Sequence, residues 1–539
     1  MLIFHLRWKN SFITPPQKSY TVFKQEWFCG GRDAPAGDIM KNKLILGTLF
    51  LTITGFITRI IGFFYRIFLS NTLGARLLGI YQLIFPVYGI CFTIFASGIQ
   101  TAISKQVAEK EATGDRAGGR RILTCGILLS VSSAIFTFVV VYFGAPWIAG
   151  TFLREPECAK SLQLLALSFP FCGVTSCVHG YCYGLKKSFL PATSQLVEQS
   201  MRVIFLYTVS LSLPITCELA IVALVAGELA SCLYCVCGNV ILQKKYKISK
   251  PLPASSSHTH LIKLLSISLP LTTNRLFINI LHSFEAFLVP LALRRYGLTR
   301  DEALSIFGIL SGMTMSFLMF PGTLTNSLSV LLLPVVSESA AKDNLRSLSH
   351  AVATAVKYSV LLGVCAGFAF FFFGKELGIT VFSEERAGSF LANLSFLCPF
   401  LYVSTTFSSI LNGLGKMNLT FLSSVLGLSL RVILFAALIP RLGVYGYFVS
   451  LLISQLFLTL FDLILVRKSI RFPFDAVNTL LKPSIILFAS ASFFVRLYEF
   501  LAAQTALSHL FLLAICLTLF ALFALSLFFI TKVCRRGEI

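Results

Sequence analysis

Long stretches without a single charge set the terms for this chain. Ile122 to Leu153 and Leu510 to Thr531 each exceed the roughly 18 consecutive apolar residues that mark a bilayer crossing. With 56% hydrophobic residues, 13% charged residues and a mean hydropathy of +0.82, the 539-residue chain is far too apolar for a soluble domain. It reads as an all-α polytopic membrane protein of about fourteen spans. These fall near 44–69, 80–103, 121–143, 161–182, 189–212, 218–242, 263–292, 303–333, 352–374, 389–411, 418–439, 445–466, 481–499 and 509–531. The formal charge of +22 is no signature of nucleic acid, because Lys and Arg gather in alternate short loops. That asymmetry predicts both chain ends inside the cell, as a multi-pass protein of the plasma membrane.

The ends and the middle set domain limits. Residues 1–39 have neither span nor signal-peptide shape, and Met40-Lys41-Asn42-Lys43 reads like a natural start, so 1–39 is expected to be a non-native or disordered extension. A first six-helix bundle is expected over 40–243. A cytoplasmic linker over 244–262 contains Lys244-Lys245-Tyr246-Lys247, Pro251 and Pro253; a second bundle follows over 263–468, then two extra helices and a tail over 469–539.

The two bundles resemble each other. Gly184-Leu185-Lys186 leads to Arg202-Val203-Ile204 at the spacing that separates Gly413-Leu414-Gly415-Lys416 from Arg431-Val432-Ile433, and Pro170 and Pro399 precede the two glycines equally. Ala102-Ile103-Ser104-Lys105 resembles Val335-Val336-Ser337-Glu338, a few residues later than that offset predicts, as an insertion would cause. An even number of spans per half makes this a parallel repeat about an axis along the membrane normal, the architecture of alternating access.

Charges inside the spans are few and informative. Thr58 to Arg66 puts Arg59 and Arg66 on one helical face, since seven residues at about 100° return to within about 20°, and roughly 10 Å apart along the axis. A cationic stripe in a membrane helix looks into protein or water, and guanidinium forks suit phosphate oxygens. The alternative is that Arg66 snorkels to the headgroups and Arg59 pairs with an internal carboxylate. Arg202, Arg275 and Arg431 are further candidates for an anion site, and Glu228 and Glu285 for ion coupling. Glu198 and Arg202, four apart, are able to form a structural pair. Arg275 and Glu285 are read as cavity groups along one helical side, some 80° apart. Asp462 is expected to serve Arg467 and Lys468 at the interface, and His179 to be a packed, hydrogen-bonded helix residue. Cys232, Cys235 and Cys237 read as helix packing, so no metal site or cofactor is expected. Pro270, Pro290, Pro321-Gly322 and Pro334 offer places to bend. Walker loops, His-Glu-x-x-His and nucleophile elbows are absent from the sequence, which points to a protein that is not an enzyme.

The set Thr58-Arg59-Ile60-Ile61-Gly62-Phe63 with Tyr65-Arg66, Asn71-Thr72-Leu73-Gly74, Gly79-Ile80-Tyr81-Gln82 and Gly98 to Glu109 resembles the stage V sporulation protein B group. So does Leu328 to Ala340. That group lies in the polysaccharide-transporter branch of the multidrug/oligosaccharidyl-lipid/polysaccharide exporter superfamily, related to lipid II flippases. The resemblance implies a flippase for undecaprenyl-diphosphate-linked saccharides, with a role in spore cortex peptidoglycan. It implies partners among the lipid-linked saccharide, membrane lipids and cell-wall synthases. It also implies that Arg59 and Arg66 hold the diphosphate, and that the last two spans form a groove for the lipid tail. Two other readings stay open: a cation exporter of the same superfamily, and a non-transporting scaffold for wall assembly.

Overall fold

The computed structural model describes residues 36–245, 257–342, 344–505, 507–531 and 533, with the backbone alone described for 36–49, 245 and 257–260. The expectations for residues 1–35, for 246–256 of the linker and for the chain ends lie outside this range. Contacts divide the chain into two units, Met1–Leu49 and Phe50–Ile539, and the account below concerns the second.

Helices make up almost all of it, and among the described residues there are no strands. In chain order they are α1 (Ala36–Phe92), α2 (Gly98–Ala112), α3 (Arg116–Trp147), α4 (Cys158–Ala166), α5 (Phe169–Gly184), α6 (Phe189–Ser210), α7 (Cys217–Lys245), α8 (Ser257–Tyr296) and α9 (Arg300–Gly308). There follow α10 (Met315–Met319), α11 (Gly322–Ala341), α12 (Leu345–Phe382), α13 (Glu385–Leu394), α14 (Cys398–Gly413), α15 (Met417–Leu442), α16 (Val444–Ser469), α17 (Lys482–Gln504) and α18 (His509–Ile530). Twelve helical segments are long and apolar enough to cross a membrane, thirteen with the pair α4 and α5, which bends by 45°.

The count of about fourteen differs in how broken runs are divided and in α6, which is not apolar enough to be counted. Phe50–Ala112 is one helical run of 63 residues, several bilayer thicknesses if straight, and it turns at Gly74 (φ 73°, ψ 171°), a backbone state that glycine reaches without strain. The expected loop between the first two spans is thus a helix kink. The run expected as one span over 303–333 is broken at Phe320-Pro321 into two helical segments of 20 residues each. Helix α6 is too polar to pass a hydropathy test, because it carries the buried Glu198 and Arg202.

Local chemistry sets the helix ends. Asp115 Oδ1 accepts from the Gly118 amide to start α3, and Thr299 with Glu302 forms a capping box at α9. Lys110 donates to Asp115, and this ion pair, with the Gly118 amide, holds the Asp115 carboxyl below its ordinary range. Pro170 and Pro399 occupy the first turns of α5 and α14, where a missing N–H costs nothing. Many large apolar side chains, Phe143, Leu211, Tyr445 and Ile530 among them, face outward, as lipid contact requires.

The repeat holds at the level of contacts, with one constant offset in numbering. A Cβ on Gly184 would meet Val107 Cβ at 2.7 Å and the Ser104 carbonyl at 2.8 Å, and one on Gly413 would meet Val336 Cβ at 3.0 Å and the Leu333 carbonyl at 3.1 Å. Gly180 packs on the Gln100 carbonyl as Ser409 Oγ donates to the Ser329 carbonyl. Lys186 (φ 57°) and Gly415 (φ 74°) end the two helices in the same left-handed turn. These contacts correct the sequence alignment of Ser104 with Ser337. Ser104 is the counterpart of Leu333, the offset needs no insertion, and the Ser337 likeness is a local coincidence of helix-end composition.

The two last helices lie beyond the repeat and pack on α12. Phe372 and Phe368 meet Phe488, and Phe373 meets Phe520.

Candidate functional site: a polar cavity and the seams around it

Helix α1 is where the two halves meet. From α8, Arg275, Asn279 and Ser283 project at four-residue intervals on one face. Arg275 Nη1 donates to the Ser97 carbonyl at 2.8 Å, Asn279 Nδ2 to Thr93 Oγ1 at 2.6 Å, and Ser283 Oγ to the Pro86 carbonyl at 3.2 Å. The acceptors flank a π turn at Thr93–Ser97, a geometry that recurs at functional sites. Lys263 Nζ continues this seam to Glu109 at 2.8 Å.

A second junction lies at the opposite end, near the kink. Arg76 donates to Glu157 and to Asp301, both at 2.7 Å, while Arg300 reaches Glu155 at 2.6 Å and Glu157 at 3.2 Å. The Glu155 carboxylate is buried, and Arg294 lies 3.6 Å from it. Glycines make the backbone approach possible: a Cβ on Gly79 would collide with the Leu304 carbonyl, and one on Gly308 with the Ala75 carbonyl. The charges expected to mark only topology here bind the first half to the second.

Between these junctions lies a cavity of about 410 Å3, lined by residues of α1, α8, the π turn after α9, α10, and α14 to α16. Its polar wall is Gln82, Asn279, His282, Glu285, Arg431 and Gln455. Arg431 donates from Nη1 to Glu285 Oε1 at 3.3 Å, from Nη2 to Gln455 Oε1 at 3.1 Å and from Nε to Ser454 Oγ at 3.1 Å. His282 Nδ1 lies 3.4 Å from Glu285 Oε2.

Of the seven candidate residues, only Glu285 and Arg431 line this cavity. Arg66 is exposed and donates from Nη1 to Ser316 Oγ at 3.2 Å, next in sequence to the wall residue Met315. That bond ties Arg66 to α10, whose Met315 and Met319 line the cavity. Arg59 is exposed one heptad away, with no partner among the described residues. Arg202 belongs to a separate buried cluster, 2.5 Å from Glu198 and 3.1 Å from Glu228, with the Tyr88 hydroxyl 3.4 Å from Glu228. Arg275 is a seam residue, about 15 Å along α8 from Glu285, where it bonds Ser97.

Asp462 contradicts its expectation. It is 1% exposed and accepts from Ser404 Oγ at 3.2 Å and from Ser423 Oγ, whereas Arg467 and Lys468 are exposed. The spacing explains this: Gln455, Thr459, Asp462 and Val466 share the buried face of α16, and 467 and 468 rotate off it. His179 sits as expected, half-buried with Nε2 2.7 Å from Ser194 Oγ.

The neutral amides Gln82, Asn279 and Gln455 join this wall although none stands out in the sequence, where an uncharged amide in a span carries no cost that marks it.

Comparisons with known proteins agree on the architecture. Stage V sporulation protein B of Bacillus subtilis (strain 168) is 28% identical over 439 residues, 79% of this chain and 84% of that protein. The lipid II flippase MurJ of the same organism is 23% identical over 460 residues, 80% of this chain and 83% of that one. Among solved structures, a lipid II flippase MurJ in an inward closed conformation aligns with TM-score 0.67 at 14% identity, covering 89% of this chain and 99% of that one. An inward-facing multidrug resistance MATE family transporter of the MOP superfamily aligns with TM-score 0.61 at 14% identity, over 76% and 94%. The family model described as polysaccharide biosynthesis protein matches residues 44–340, more than half of the chain, and the chain belongs to that family.

Proposed function

We propose that this chain is a flippase that moves the headgroup of an isoprenoid-diphosphate-linked saccharide, a peptidoglycan or polysaccharide precursor, across the bacterial plasma membrane with both its termini inside. The relative named for stage V of sporulation makes sporulation the proposed setting. The observation that carries the reading is the polar cavity between the halves, with Arg66 bonded to the helix α10 that lines it and Arg59 one heptad away, unpaired among the described residues. An exposed guanidinium with no carboxylate beside it is free to fork onto a diphosphate. Arg202 and Arg431, each already tied to glutamate, are less suited to that task.

The isoprenoid tail stays in lipid, so only the headgroup has to be desolvated. The six-helix halves, 40–243 and 263–468, rock about α1. The ion-pair junction at Arg76 and the polar seam at Arg275 open in turn, and the headgroup passes from Arg59 to Arg66 and the cavity. The wall offers amides and hydroxyls for sugar, as a saccharide site requires.

A cation exporter is the rival, favoured by Glu285 in the wall, but Arg431 neutralises that carboxylate. Proteoliposomes loaded with a labelled isoprenoid-diphosphate saccharide decide between them. The expected result is flipping of the diphosphate lipid and no uptake of cationic dyes; dye transport without flipping overturns the proposal.

A further inference from the structure

Four carboxylates lie deep among the membrane helices, and their surroundings differ. Glu198 and Glu228 hold Arg202, and Glu285 holds Arg431. Asp462 is the one with no cation. Its carboxyl oxygens meet only the hydroxyls of Ser404 on α14 and Ser423 on α15, at 1% exposure. The charged groups of the neighbouring elements point elsewhere. Lys416, at the start of α15, donates to Ser469 Oγ, and Arg467 and Lys468 are exposed. Arg431 is occupied by Glu285, Ser454 and Gln455, whose nearer member lies about 10 Å along α16 from Asp462. Helix α13, with Glu385 and Arg386 exposed on it, meets α16 through Phe390 and Phe448, roughly 20 Å from Asp462 along the axis.

An ionised carboxylate without a counter-charge in a dry, lipid-surrounded core is costly, and such groups take up a proton. We propose that Asp462 is a proton-binding site that drives the flippase: protonated and locked between Ser404 and Ser423 in this conformation, and releasing its proton when α14, α15 and α16 part. The inference rests on the flippase reading for its role, though the site stands on its own geometry. A hard metal ion would need several oxygens spread around it, whereas both serine oxygens close directly onto the carboxyl. Among the described residues, no group of three or more His, Cys, Asp or Glu is placed to hold a metal ion. Residues Ser450, Ser454, Gln455 and Thr459 run along the buried face of α16 from the cavity wall towards Asp462, so the proton site and the Arg431 wall share one rigid helix. A change in the charge of Asp462 is thereby coupled to the cavity.

Infrared difference spectroscopy on the purified full chain tests the site without any substrate. Wild type is expected to show the protonated band at pH 7, D462N to lack it, and Ser423→Ala to move its titration while keeping the fold. A band unchanged in D462N, or sodium-dependent loss of the band in wild type, overturns the proposal. Flipping assays then add the role: an imposed proton gradient should raise the wild-type rate several-fold and leave D462N unaffected, and equal stimulation of both overturns the coupling. Absence of flipping in wild type with the infrared band present would count against the flippase reading alone.

Discussion

Arg202 and Arg431 occupy equivalent positions in the two halves, yet they live in different electrostatic company. Arg202 is held by two glutamates in a tight buried cluster with Tyr88 close by. Arg431 has one glutamate, a serine and a glutamine, and faces a cavity. The repeat fixes where an arginine stands; the helices that pack on it decide what it does. In the first half it is a strut between α6 and α7. In the second it is a wall between α8, α15 and α16.

The largest effect that would break this contrast is on stability. Arg202→Met leaves Glu198 and Glu228 without a counter-charge and is expected to cost roughly 3–5 kcal/mol, as removing one member of a buried ion cluster does. Thermal unfolding in detergent measures it. Restoring neutrality with Glu198→Gln and Glu228→Gln in the same chain should recover most of the loss; no recovery would mean the cluster is held by packing.

Arg431→Gln should cost less than Arg202→Met in the same unfolding assay, because Glu285 then keeps His282 and borders an open cavity. Its flipping rate should nevertheless fall about tenfold or more, a change of about 1.4 kcal/mol in the barrier. Equal stability losses for the two arginines would erase the distinction between strut and wall.

Smaller still is the test of the repeat contact itself. Gly184→Ala and Gly413→Ala push a methyl into α2 and α11 respectively, with expected costs of about 1–3 kcal/mol. Gly184 should suffer more, since its Cβ would lie 2.7 Å from Val107 against 3.0 Å from Val336 for Gly413. The reverse order by thermal unfolding would show that the two crossings relax differently.

The mildest is a pH effect at the loop between α2 and α3. Lys110 and the Gly118 amide hold the Asp115 carboxyl below its ordinary range, so the stability it supplies is present above the unfolded value and fades as pH falls through the lower folded one. Asp115→Asn should therefore differ from wild type at neutral pH and converge on it in acid, as followed by hydrogen exchange of the first turn of α3.

The sequence carries the helical class, the span count within the division of broken runs, and the repeat, because length, hydropathy and spacing survive without knowledge of neighbours. Gly184 and Gly413 are legible since close helix crossings need glycine at fixed positions. What a charge faces is not legible to the same degree. Arg275 reaches the Ser97 carbonyl about 15 Å along α8 from Glu285, a placement that appears only once α8 is laid against the π turn. Asp462 was assigned to nearby cations along the sequence, whereas its partners come from two other helices. The Arg76 junction joins loops far apart in the chain, and its members read singly as topology signals. The polar amides of the cavity follow the same rule: each is unremarkable alone and becomes a site through convergence.

The central claim is that arginines of α1 with no carboxylate partner among the described residues, Arg59 foremost, guide an anionic headgroup between the halves. Flipping of a labelled isoprenoid-diphosphate saccharide by Arg59→Ala in proteoliposomes tests it most directly, because Arg59 has no partner among the described residues and its loss should leave thermal unfolding unchanged. The account predicts flipping reduced at least tenfold in a protein as stable as wild type. Flipping at the wild-type rate would contradict it.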